Sequence, residues 1–307
     1  MIPLAEIRAA ADRARPYVRH TPLHPLGDGR WLKLELLQPT GSFKVRGFLA
    51  AALALPAERR DRGLLTVSAG NAALACAYAA RTLGVPCRVV MFDTAPAPKV
   101  DGVRALGGVP TLMTRPDLLA WMAARGWESE PEAFIHPFAD EAVQAGHGGV
   151  GLEIVEDLPD VARVLVAVGG GGLMAGVASA VRQCRPDVEV IGVQSDGYPL
   201  WIRTLAEGAP PALTPATIAD GTSAPYDRAQ HERLARCVDR WIAVPEQRLR
   251  SAVAELAAAG KVVAEGAGAL PYAALDQVEP GPPTALVISG GNIAPSLLAE
   301  LLAARSA

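Results

Sequence analysis

The sequence repeats one construction three times: a short apolar run, a turn of very small residues, then a helical stretch. Leu64–Val67 enters Ser68-Ala69-Gly70-Asn71, Val164–Val168 enters Gly169-Gly170-Gly171-Gly172, and Thr284–Ile288 enters Ser289-Gly290-Gly291-Asn292. Runs rich in Val, Leu and Ile alternating with helical stretches read as βα units around a parallel sheet. Further strands are expected at Trp31–Leu34, Arg88–Phe92 and Glu189–Val193. Helices are expected at Phe43–Ala54, Ala72–Leu83, Pro98–Leu106, Leu173–Arg182, Glu246–Ala259 and Pro295–Ala304. Ala209–Thr217, with three prolines in nine residues, is loop. In open parallel sheets such turns sit at the carboxyl ends of strands, where ligands bind, and the helix starts that follow favour an anion. Three of them predict a single polar, anion-bearing ligand held from several sides.

The rest of the chain narrows the ligand class. A net charge of −3 offers no basic footprint for nucleic acid or an anionic membrane, so a small metabolite is the expected partner. The four cysteines (Cys76, Cys87, Cys184, Cys237) form no CxxC pair, which predicts free thiols and a reducing cytoplasm. The first residues, MIPLAEIRAAADRAR, lack the apolar core of a signal peptide. Gly63–Ala80 and Val164–Val181 are uncharged and about long enough to span a bilayer, but both carry turn residues in mid-run. Each is read as a buried strand, a sharp turn and a buried helix.

Gly169–Gly172 is the turn best suited to a phosphate, because close approach to several backbone N–H groups leaves no room for a Cβ. The segment Gly170 to Ala175 also satisfies GxGxxA, with Asp196 roughly where a dinucleotide's ribose would want an acid. A ligand-free tight turn is the third reading. Lys44, in GSFKVRG, lies in a small and apolar context that would lower its pKa by desolvation, as imine chemistry needs. Most lysines are solvated surface charges, and only its company sets this one apart.

Five segments occur in order: LELLQPTGSFKVRG, SAGNAALACAYAARTLGVP, VAVGGGGLMAGVA, VVAEGAGA and VISGGN. Together with RPYVRHTPL, IHPFAD and AGHGGVGLEI, they resemble the fold-type-II pyridoxal-phosphate enzymes, specifically the serine/threonine dehydratase family, over nearly the whole chain. The resemblance implies an α/β fold like that of the tryptophan synthase β chain. It has two open, twisted, mostly parallel sheets flanked by helices, and the cofactor lies between the domains. Residues 1–59 and 138–307 would form the large domain and residues 60–137 the small one. It further implies a homodimer. A regulatory domain like that of allosteric threonine dehydratases is not expected.

Residue by residue, the resemblance makes Lys44 the lysine that holds pyridoxal phosphate as a Schiff base and, once freed, moves the α-proton. Phe43 would lie against the pyridine ring, and Gly169, Gly170, Gly171 and Gly172 would hold the phosphate. Asn71 would bond the ring hydroxyl, the backbone around Ser68–Ala72 would receive the substrate carboxylate, and Ser289 would face the pyridine nitrogen. Ala69 stands where racemases of the family carry a serine. Glu265 matches an acidic position near the cofactor, without a role of its own; a partly exposed acid at a helix start is the plain alternative. Ala72, where many relatives have His, and His147, where others have Gln, follow the serine dehydratase branch, whereas Ser289 departs from its usual Cys. Gln194 and Leu200 stand where serine racemase has metal-binding acids, so no metal is expected. His20 and His24 are four apart, but Pro22 and Pro25 rule out the helix that would align them. The implied activity is β-elimination of water and ammonia from a small β-hydroxy amino acid such as L-serine or L-threonine. A β-elimination or replacement enzyme on another amino acid, an NAD-dependent dehydrogenase and a catalytically silent cofactor-binding protein are the alternatives.

Overall fold

Strands β1 (Leu23–Gly27), β2 (Arg30–Lys33), β7 (Arg163–Ala167), β8 (Glu189–Ser195), β9 (Arg240–Val244) and β10 (Thr284–Val287) make a six-stranded sheet in the order β1-β2-β10-β7-β8-β9. Strands β3 (Leu64–Val67), β4 (Cys87–Phe92), β5 (Val109–Met113) and β6 (Ala133–Phe134) make a second sheet in the order β5-β4-β3-β6. Every pairing is parallel except β1 with β2. This is the α/β fold expected, seen in a computed structural model that describes residues 1–305.

All six expected strands and all six expected helices are present, with bounds shifted by at most two residues. The large sheet is covered on both faces, and its side chains sort by parity. Leu165, Ala167, Leu286 and Ile288 join one apolar cluster; Val164, Val166, Ala285 and Val287 join the cluster on the other face. That is why these strands read as unbroken apolar runs rather than alternating ones. Gly63–Ala80 and Val164–Val181 are strand, turn and helix, and among the described residues no helix is long and apolar enough to cross a membrane.

The 17-residue helix Glu141–Asp157 had no helical signature, because four of its residues are glycine. Packing explains them. A Cβ on Gly148 would sit 2.6 Å from Ile7, and one on Gly151 would sit 2.7 Å from the Val177 carbonyl. Helix Gly172–Cys184 answers with Gly176, seated on the Gln144 carbonyl. The two helices meet backbone to backbone, and that contact outweighs weak propensity.

In each sheet the chain reverses the direction in which it adds strands. From β7 it moves outward through β8 and β9, yet β10 lies on the opposite side of β7; from β3 it moves through β4 and β5, yet β6 lies on the opposite side of β3. The crevice at the carboxyl ends of such neighbours is where α/β sheets receive ligands. Four turns therefore converge on ligand-binding positions: those after β3, β6, β7 and β10.

Candidate active site

Helix Lys44–Ala54 starts beside the turn after β10. The Phe43 N–H donates to the Ser289 carbonyl (3.0 Å), the Gly291 N–H donates to the Gly41 carbonyl (2.9 Å), and Ser42 bridges Gly290. Gly41 adopts a positive φ of 72°, which this sharp entry to the helix requires. Lys44 thus emerges next to Ser289, where Nζ donates to the Pro137 carbonyl at 2.8 Å. Burial lowers its pKa to about 8, against the opposing pull of Glu265. Among the described residues no carboxylate touches the amine, so it is available as a base or nucleophile near neutral pH. The Phe43 ring centroid lies 5.1 Å from Nζ, and the ring meets the His147 ring edge-on at 4.7 Å. His147 is fully buried, with no partner for either ring nitrogen among the described residues. Burial, reinforced by the charges of Lys44 and Arg46, holds it neutral.

Two residues further along the helix, Arg46 anchors the lysine's support. It bonds Glu35 through Nε (2.8 Å) and Nη2 (2.8 Å), and Glu153 through Nη1 (2.7 Å). Lys33, fully buried, completes the quartet at 2.6 Å from Glu153. Burial alone would raise the pKa of Glu35, but the charge and hydrogen bonds of Arg46 overcome it and hold the carboxyl below its usual range. Strand β2, the Glu35 turn and two helices are pinned together in this way beneath Lys44.

Gly169–Gly172 form the turn after β7. The flanking Val168 N–H goes to Val193 and the Ala175 N–H to Gly171, but the N–H groups of the four glycines donate to no protein group among the described residues. A Cβ on Gly169 would lie 2.7 Å from Thr222, and one on Gly172 would lie 2.7 Å from the Phe138 carbonyl. On Gly170 it would strike the Phe138 ring, and Gly171 has φ 84°. Unpartnered N–H groups at the start of a 13-residue helix form a cradle for an anion.

The turn after β3 is built differently. The Gly70 N–H donates to Ser68 Oγ (3.0 Å), leaving the N–H groups of Ala69, Asn71 and Ala72 without a protein acceptor among the described residues. Asn71 begins helix Asn71–Leu83; its Nδ2 donates to Glu265 Oε1 (2.7 Å), and its Oδ1 accepts from Asn292 Nδ2 (2.7 Å). One amide hydrogen of Asn71 has no acceptor among the described residues. Glu265 is 8% exposed, which overturns the reading of it as a partly exposed helix-start acid. Burial raises its pKa to about 7; Asp220 adds to the rise and the Asn71 bond opposes it.

Lys44, the four glycines, the Ser68–Asn71 turn, Glu265 and Ser289 are therefore linked through shared contacts. Sequence reasoning missed Pro137, Phe138 and Asn292, although IHPFAD and VISGGN contain them. The third turn ends in Asn as the first does, and both asparagines proved to bond each other. Asp196 is not placed for a ribose: its Oδ1 accepts the Glu246 N–H (3.0 Å) at a helix start, which removes the dinucleotide reading's second support. Gln194, 1% exposed, is spent on the backbone of Val168, Trp201 and Ile202. Among the described residues no cluster of His, Cys, Asp or Glu is placed to hold a metal ion. Cys76 and Cys87, eleven apart in sequence, come within 3.8 Å as buried free thiols.

A buried amine of lowered pKa and a glycine cradle for an anion suit a phosphorylated aldehyde held through a lysine. The donor set fits pyridoxal phosphate: four backbone N–H groups for the phosphate, Lys44 for the aldehyde carbon, and for the ring nitrogen a Ser289 hydroxyl with no protein partner among the described residues. The site and fold thus define a pyridoxal-phosphate enzyme. The model of the pyridoxal-phosphate dependent enzyme family matches residues 14–290, and the chain belongs to that family. It is 40% identical to L-threonine ammonia-lyase of Thermotoga maritima, over 98% of this chain and 78% of that one. It is 38% identical to the L-threonine ammonia-lyase of Geobacter sulfurreducens, over 95% of this chain and 76% of that one. Among solved structures, maize serine racemase superposes with a TM-score of 0.90 at 29% identity, covering 99% of this chain and 97% of that one. The threonine deaminase of T.th. superposes at 0.86 with 38% identity, covering 95% of this chain and 98% of that one.

Proposed function

We propose that this chain is an ammonia-lyase that eliminates water and ammonia from a small β-hydroxy amino acid, L-threonine or L-serine, leaving a 2-keto acid. The observation that carries it is the 40% identity to an L-threonine ammonia-lyase over 98% of the chain. Bound pyridoxal phosphate supplies the electron-withdrawing ring that acidifies the α-proton. Lys44 would hold the cofactor and serve as the base for that proton; a pKa of about 8 leaves part of it in the basic form near neutral pH. The free N–H groups of Ala69, Asn71 and Ala72 at a helix start receive the substrate carboxylate. Asn71 would offer its remaining amide hydrogen to the ring hydroxyl, and Phe43 would pack against the ring. Ser289 would face the ring nitrogen with a neutral hydroxyl, which would not hold that nitrogen protonated as a carboxylate would and so would favour loss of a β-substituent over transamination.

The family resemblance also makes the enzyme a homodimer, and four free thiols fit a reducing cytoplasm. In the same reading the large domain comprises residues 1–59 with 138–307, and the small domain residues 60–137. Measuring 2-keto acid release across a panel of β-substituted amino acids tests the proposal. L-threonine or L-serine should be turned over fastest. Cofactor-loaded enzyme that releases no keto acid from either would sink it.

A further inference from the structure

The turn His136–Ala139 follows β6, at the strand reversal of the small sheet, and one ring nitrogen organises it. His136 Nδ1 accepts the N–H of Phe138 (3.3 Å) and of Ala139 (3.0 Å). A nitrogen that accepts two N–H bonds carries no proton, so the ring hydrogen sits on Nε2. Asn or Asp could close such a turn too, because their side chains accept from backbone N–H groups two residues on. Imidazole adds a wall. It stands at right angles to the Phe138 ring (centroids 4.6 Å apart) and to the Phe134 ring (6.0 Å). Phe138 is thereby held against Gly170, with its carbonyl also accepting from Gln144 Nε2 at 2.9 Å. The same turn aims the Pro137 carbonyl at Lys44.

We propose that His136 is a positioning residue whose unprotonated Nδ1 sets both ends of the cofactor's seat: the Pro137 carbonyl that receives Lys44, and the Phe138 ring that backs the glycine turn. The inference rests on the reading of Lys44 and Gly169–Gly172 as the cofactor's holders. It goes beyond that reading by giving one residue control over both. Burial lowers the ring's pKa to about 4, with Asp227 opposing and Lys44 reinforcing, so Nδ1 stays an acceptor at neutral pH. An alanine here would leave the two N–H groups of the turn to water and the Phe138 ring without its neighbour.

The test uses the full chain stripped of cofactor and titrated, by absorbance, with pyridoxal phosphate. His136→Asn keeps an acceptor oxygen for the two N–H groups; His136→Leu removes it. The leucine variant should bind pyridoxal phosphate at least about tenfold more weakly, and the asparagine variant should stay within roughly threefold of the parent. A second reading needs no leucine variant to fold. Nitrogen NMR of the histidine-labelled parent, with His136 identified by its loss in His136→Asn, should give an unprotonated Nδ1 whose resonance moves when cofactor is added. A folded leucine variant that binds like the parent, an asparagine variant as weak as a folded leucine variant, or a protonated or unresponsive Nδ1 overturns the proposal. Lys44→Ala separates the underlying reading. If that variant keeps the visible absorbance of lysine-bound cofactor, the reading of Lys44 fails whatever the His136 variants do.

Discussion

The Asn71 amide donates to the Glu265 carboxylate at 2.7 Å, joining residues 194 positions apart. The bond ties the turn of the small sheet to helix Gly266–Ala273, whose start Glu265 occupies. The carboxyl titrates near pH 7 when folded, against an ordinary value of 4.5, chiefly because it is buried. Between those values the folded chain holds a proton that the unfolded chain has lost, so this group's contribution to stability falls as pH rises from about 4.5 to about 7. Glu265→Gln keeps an oxygen for Asn71 and abolishes the titration. Denaturant unfolding of the cofactor-free protein at pH 5 and pH 8 should show that difference shrink by about 1–3 kcal/mol. An unchanged difference would place the titration elsewhere.

Substitution at the glycine turn should act through the loop itself. A Cβ at Gly170 would meet the Phe138 ring, and Gly171 sits at φ 84°, where side chains are strained. Gly170→Val and Gly171→Val should each weaken pyridoxal phosphate binding about tenfold or more, or about 1.4 kcal/mol. Pyridoxal, which lacks the phosphate, should lose much less in the same titration. Equal losses for both ligands would mean that the turn does not hold the phosphate.

Arg46→Met leaves Glu35, fully buried, without its main partner. Removing one member of a buried ion pair typically costs about 3–5 kcal/mol, because the other is left as an uncompensated charge. Chemical denaturation should show a loss of that order. The double variant Arg46→Met with Glu35→Gln should recover part of it, since the stranded charge is then gone.

In the proposed reaction, Ala69 is the residue expected to set the stereochemical outcome. Racemisation needs an acid–base group on each face of the planar carbon, and in the proposed function Lys44 supplies one. The methyl group of Ala69 can neither donate nor accept a proton, and Ser68 Oγ is turned back onto the Gly70 N–H. Incubation with L-serine or L-threonine should yield keto acid with little D-enantiomer in the remaining substrate on a chiral column. Ala69→Ser should raise the enantiomer's share; a parent enzyme that already racemises as fast as it eliminates would show that another group serves the second face.

The large sheet was legible because a strand buried on both faces must be apolar throughout, and Val164–Val168 and Thr284–Ile288 say so locally. The turn after β7 was legible as a close-approach turn because it is four successive glycines, while the anion reading was one of three the segment allowed. What escaped was set by long-range packing. Helix Glu141–Asp157 looks like a poor helix until the close approach of Gly148 and Gly151 to their neighbours is known. β6 is only two residues long, and the His136–Phe138 turn after it carries no sign that its carbonyl meets a lysine 93 positions away. Glu265 looked ordinary because neither its burial nor its partner Asn71 leaves a local trace.

The ion quartet beneath Lys44 divides the site into a fixed half and an adaptable one. Lys44 rides on a helix bolted through Arg46 to Glu35 and Glu153, and any change that shifts this helix strands a buried charge. The side chains of the turn Ser68–Asn71 answer outside the turn only to Glu265 and Asn292 among the described residues. If the substrate carboxylate sits on that turn, as proposed, descendants of such a chain can vary the amino acid they accept by altering it while the quartet keeps Lys44 in place.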